Sequence, residues 1–85
     1  MTVEGSKKHK EILPEHQKLM TSIGNAIKEL RSNQKKNYIE MAEKIGISRN
    51  EYNLIERGKI YFKFSTILKI LDYHGIPYSE FVKSL

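Results

Sequence analysis

Two stretches that each read as a short amphipathic helix are separated by Gly46-Ile47-Ser48 alone, and that spacing restricts the fold more than any other feature of the chain. The first, Tyr38 to Ile45, opens at Asn37 with Glu40 three residues on. The second, Arg49 to Arg57, opens at Ser48 with Glu51 at the same distance. A small polar residue followed at this spacing by a glutamate is the capping-box pattern, which satisfies amide groups that a bare helix start leaves unpaired. Gly46 and Gly58 mark the two ends, because a left-handed residue closes a helix well and glycine adopts it without steric penalty. So tight a connection makes the helices cross closely, which Ala42 suits, and Ile47 can plug the space between them. The arrangement is a helix-turn-helix.

The rest of the chain supplies a scaffold for this pair. From Pro14, which suits a first helical turn, Leu19, Ile23, Ala26, Ile27 and Leu30 recur at helical spacing. Gly24 weakens this helix without ending it. A polar connection, Ser32 to Asn37, follows. Beyond the pair, Phe64, Ile67, Leu68 and Leu71 form another apolar stripe ended by Gly75, and Pro77 opens a last helix with Phe81, Val82 and Leu85. No strand-like alternation or internal repeat stands out. The pattern predicts an all-α chain, a compact bundle of about five helices around one core. Residues 1–13, with Lys7, Lys8 and Lys10, are expected to form a flexible basic segment, and residues 14–85 the domain, with the helix-turn-helix at 38–57.

Charge narrows the function classes. A formal net charge of +5 in 85 residues favours a polyanionic partner. There is no cysteine, which excludes disulfides and thiolate metal sites. No apolar run approaches the roughly 20 residues needed to span a bilayer, and no signal-peptide pattern opens the chain, so a cytoplasmic protein without a membrane partner is expected. His9, His16 and His74 have no metal-ligand spacing. No nucleophile stands with a base, and no phosphate loop or cluster of acids occurs, so neither enzyme activity nor a cofactor is expected.

The helix after the turn carries the clearest functional signal. At about 100° per residue, Arg49, Asn50, Asn53 and Arg57 fall within one arc, with Tyr52 and Ile55 opposite. One face can pack while the other offers hydrogen-bonding groups. Arginine can make a forked pair of bonds to guanine and asparagine to adenine, and early residues of a helix in the major groove reach base edges. Asn37, Ser48 and the amides beside them lie at helix starts, which favour phosphate. Lys35, Lys36, Arg57, Lys59 and Lys63 can add charge along a flanking backbone.

From Ile23 to about Phe81 the chain resembles the phage-repressor (XRE, Cro-like) helix-turn-helix family. IGNAIKELR matches its first helix, EMAEKIGIS its second helix and turn, IERG the end of its recognition helix, and ILKILDYHGIPYSEF its last two helices. The resemblance implies a lambda-repressor-like domain that binds double-stranded DNA, a transcriptional regulator and expected repressor. It implies base reading by Asn53 and Leu54 as well as Arg49 and Asn50, with Tyr38 holding the backbone where the family usually has glutamine. It also places Arg31 against Glu56 as a partly buried structural ion pair.

Departures from the family pattern are Lys36 for an apolar residue, His74 for leucine and Phe62 for proline. Ile60, Tyr61, Phe62 and Phe64 form an apolar cluster in a connection that is usually polar. Because related repressors dimerise near this loop, the resemblance implies a homodimer through Tyr61, Phe62, Phe64 and the C-terminal helix with Phe81. The same cluster can instead fold back onto the domain's own core. Two further function classes are open: a protein-interaction module, such as an antitoxin-like partner protein, and RNA binding on the basic face. The absence of an interleaved aromatic stacking platform argues against single-stranded RNA.

Overall fold

The computed structural model describes residues 11–85; the expected flexible basic segment falls largely outside them. The described residues form five helices and no strand: α1 (Pro14–Asn33), α2 (Tyr38–Ile45), α3 (Arg49–Glu56), α4 (Phe64–His74) and α5 (Tyr78–Lys83). The all-helical bundle predicted from the spacing is the observed architecture.

Each boundary has a local cause. Pro14 stands in the first turn of α1, where its missing N–H is no loss. At α2 both halves of the capping box form, Glu40 N–H donating to Asn37 Oδ1 at 2.8 Å and Asn37 N–H to Glu40 Oε1 at 3.2 Å. At α3 only one half does: Glu51 N–H donates to Ser48 Oγ at 3.0 Å. The Glu51 side chain instead borders a groove with Tyr61, Phe62 and Lys63. Gly46 takes a φ of 91°, and its left-handed turn lets the Ile47 amide bond back to the Ala42 carbonyl at 3.0 Å. That closure aims the chain at Ser48, so that α3 starts after a single turn.

The core gathers Ile27, Met41, Ala42, Ile45, Tyr52, Ile55, Ile60, Ile67, Ile70, Leu71 and Phe81. The stripe expected on α1 needs one correction: Leu19 is 54% exposed and Met20, its neighbour, is buried at 7%. Gly24 also has a role beyond weakening the helix. A Cβ placed there would lie 2.5 Å from the Glu56 carbonyl oxygen and 2.6 Å from that of Ile55, so α1 crosses the last turn of α3 at backbone contact.

The first turns of α1 are fastened by polar groups to the α3–α4 connection. Leu13 N–H donates to the Tyr61 hydroxyl at 3.1 Å, and that hydroxyl lies 2.7 Å from His16 Nδ1. Gln17 Nε2 donates to the Gly58 carbonyl at 2.8 Å.

His74, at the end of α4, is half-buried, with Nδ1 3.4 Å from Gln34 Nε2 and a buried Nε2 that has no partner among the described residues. Burial therefore holds its pKa below the ordinary 6.5. Below 6.5 the unfolded chain binds the proton more readily than the folded one, so acid favours unfolding. The stabilisation is complete above pH 6.5 and is lost as pH falls through the lowered folded value. Melting temperature is expected to drop between pH 7 and pH 5, and His74→Leu to flatten that slope in a thermal scan series. An unaltered slope in the variant would assign the acid response to other groups.

Candidate functional site

The arc read from the sequence occupies the outward side of α3. Arg49, Asn50 and Arg57 are exposed and Asn53 is half-buried, while Tyr52, Ile55 and Glu56 on the other side are buried. Leu54 is half-buried and packs partly against the core, leaving an apolar edge beside Asn53. Asn37 and Ser48 are exposed at the starts of α2 and α3. Their side-chain oxygens accept the capping amides, so the Asn37 carboxamide N–H₂ and the Ser48 hydroxyl hydrogen stay available as donors.

Tyr38 is half-buried at the first turn of α2 and packs its ring against the core. Lys35, Lys59 and Lys63 are exposed. Lys36 is half-buried, and its carbonyl is held by an Arg31 N–H at 2.9 Å. Lys35 takes a left-handed φ of 57° in the corner between α1 and α2.

Behind this surface Arg31 and Glu56 meet as a forked pair, Nε donating to Oε2 at 2.7 Å and a terminal N–H to Oε1 at 2.9 Å. Their side chains are 15% and 4% exposed. The carboxylate at hydrogen-bonding distance raises the arginine's pKa above its ordinary value. Tyr52 is fully buried against this pair, and its hydroxyl has no partner at hydrogen-bonding geometry among the described residues. Burial, together with the neighbouring Glu56 carboxylate, pushes its ionisation well above the usual phenol range. The helical period assigns Tyr52 only to the packing face; that its hydroxyl ends beside an ion pair depends on α1, remote in sequence.

The apolar cluster after α3 divides. Ile60 is buried at 3%, Tyr61 and Phe62 are half-buried, and Phe64 is 56% exposed. Phe81 corrects the expected partner surface, since it is 5% exposed and belongs to the core. The outward apolar residues of α5 are Tyr78 and Val82, followed by Leu85, at 43%, 41% and 40% exposure. Tyr78 stacks edge-to-face on Phe64 with ring centres 4.9 Å apart. An exposed apolar strip thus joins α4 to α5.

Comparison with known proteins gives the following likenesses, among others. A family described as a helix-turn-helix domain matches residues 24–84. The cryptic phage CTXphi transcriptional repressor RstR of Vibrio cholerae is 34% identical over 60 residues, covering 71% of this chain and 54% of RstR. The chain thus spans about half the length of the curated relative it matches. The crystal structure of the clp gene regulator ClgR from C. glutamicum superposes with a TM-score of 0.68 at 20% identity, covering 88% of this chain and 90% of that one, a likeness of fold.

Proposed function

Because this chain belongs to the helix-turn-helix domain family, matched over residues 24–84, we propose that it is a sequence-specific, double-stranded DNA-binding transcriptional regulator acting as a repressor. In this reading α3 enters the major groove. The observation that carries it is the outward arc of Arg49, Asn50, Asn53 and Arg57 on a helix whose opposite side is buried. Likeness to a phage transcriptional repressor supports the direction of regulation. Arg49 and Asn50, in the first turn, read base edges, Asn53 reads the next step, and Leu54 offers apolar contact to a thymine methyl. Asn37, Tyr38 and Ser48 hold one phosphate wall, and Lys35, Lys36, Arg57, Lys59 and Lys63 add charge along the flanking backbones.

The exposed strip of Phe64, Tyr78, Val82 and Leu85 supports a two-fold homodimer, with the half-buried Tyr61 and Phe62 preceding it in the chain. Two recognition helices would then meet half-sites about 34 Å apart, one DNA turn. Selection from random duplexes is expected to return an inverted repeat at that spacing. Selected sequences without preference would overturn the reading, and a single unrepeated site would overturn the dimer alone.

On the selected site, Arg49→Ala is expected to cost about 1–3 kcal/mol of binding, mostly as lost preference at one base pair. Fluorescence anisotropy with base-substituted duplexes at fixed salt measures this. An equal loss on every sequence would reassign Arg49 to the phosphate backbone.

A further inference from the structure

Beside the α1–α3 crossing lies a cleft of about 450 Å³, walled by Asn25 and Lys28 of α1, Asn53 and Arg57 of the α3 end, and Lys59. Arg31 and Glu56 also line it. Among the described residues Glu56 is the only acid there, and both its oxygens accept from Arg31, so the pair adds no net charge. Lys28, Arg57 and Lys59 are exposed and make no ion pair among the described residues. Uncompensated cations beside two carboxamides suit an anion with several acceptor oxygens, which takes charge from the cations and N–H bonds from the amides. Asn53 and Arg57 also belong to the reading arc, so the cleft opens on the side of α3 that carries Arg49.

A helix in the major groove has a sugar–phosphate wall on each flank. The starts of α2 and α3 serve one wall. We infer that the α1–α3 cleft seats a backbone phosphate of the other wall, which makes Asn25 and Lys28 of α1 part of the duplex-binding surface. This rests on the DNA-binding reading and extends it to a helix outside the helix-turn-helix. Lys28 positions the domain and reads no base.

Lys28→Gln tests the inference, since the side chain is exposed and the variant is expected to melt with the wild type. Affinity for the selected site and for random duplex is expected to fall alike, by about 3- to 10-fold at moderate salt. The slope of log affinity against log salt should shrink by about 1, with base preference unchanged. Unaltered affinity and slope in Lys28→Gln, with Arg49→Ala still eroding preference, would overturn the cleft assignment and leave the DNA reading intact. A wild-type protein without affinity for any duplex would remove both. Inorganic phosphate, titrated at constant ionic strength and followed through the amide resonances of Asn25, Lys28 and Asn53, separates the sources. Shifts that vanish in Lys28→Gln while its duplex affinity stays at the wild-type level would assign the cleft to a free phosphate compound instead. A loss confined to one base sequence would overturn the positioning role.

Discussion

Arg31→Ala is expected to lower the unfolding free energy by about 3–5 kcal/mol, because it leaves the Glu56 carboxylate buried without its partner. A small domain has only about 5–15 kcal/mol in all, so the variant should be largely unfolded at moderately raised temperature. The two halves of the pair are not equivalent. Glu56→Ala strands a guanidinium that is 15% exposed and lines an open cleft, whereas Arg31→Ala strands a carboxylate that is 4% exposed. The arginine change should therefore cost more. It also removes the N–H that satisfies the Lys36 carbonyl, a further loss of about 1 kcal/mol. Joint replacement, Arg31→Met with Glu56→Leu, should recover most of the stability, since a packed apolar pair replaces a desolvated ionic one at little cost. Denaturant melts of the single variants show the asymmetry, and the melt of the double variant shows the recovery. An Arg31→Ala midpoint close to wild type would show that the pair contributes little to the fold.

Gly24→Ala is expected to destabilise where the same change in an ordinary helix interior would help by about 1 kcal/mol. The new methyl would meet carbonyl oxygens of Glu56 and Ile55 at 2.5 and 2.6 Å, which are backbone atoms that cannot swing aside. Either α1 lifts away from α3 or the last turn of α3 distorts. Overpacking of this kind costs about 1–3 kcal/mol and sometimes more, so the clash outweighs the propensity gain. Gly24→Val, larger and β-branched, should fail to fold. Because the crossing sets how α3 projects, Gly24→Ala is also expected to bind duplex more weakly at temperatures where it remains folded. A melting temperature at or above the wild-type value would show that the crossing relaxes freely.

What is legible in the sequence follows the range of each interaction. The caps of α2 and α3 and the reading arc depend on residues within one or two turns, and local geometry places them. Leu19 and Met20 differ by one position near the start of α1, where their flanking residues are exposed and the helical period alone does not decide which turns inward. Phe81 and Val82 pose the same problem in a six-residue helix, too short for its period to fix a face. Gly24 is legible as a weak point but not as a crossing, since its contacts are 31 and 32 residues away at Ile55 and Glu56. The Arg31–Glu56 pair follows from family likeness, for nothing local joins residues so far apart. The cleft has no sequence signal, because α1 and the end of α3 supply its walls separately.

The latch between the opening turns of α1 and the α3–α4 connection has its own consequence. Leu13, His16 and Gln17 hold on through hydrogen bonds that water can replace at small net loss, and Leu19 points outward. Ahead of the buried Met20 little apolar area resists separation, so under stress the molecule is expected to peel from this corner, residues 13–17, first. The recognition surface, seated over the greasy centre, outlasts that fraying, and an assay of duplex capture would continue to register an intact domain after the corner had come undone.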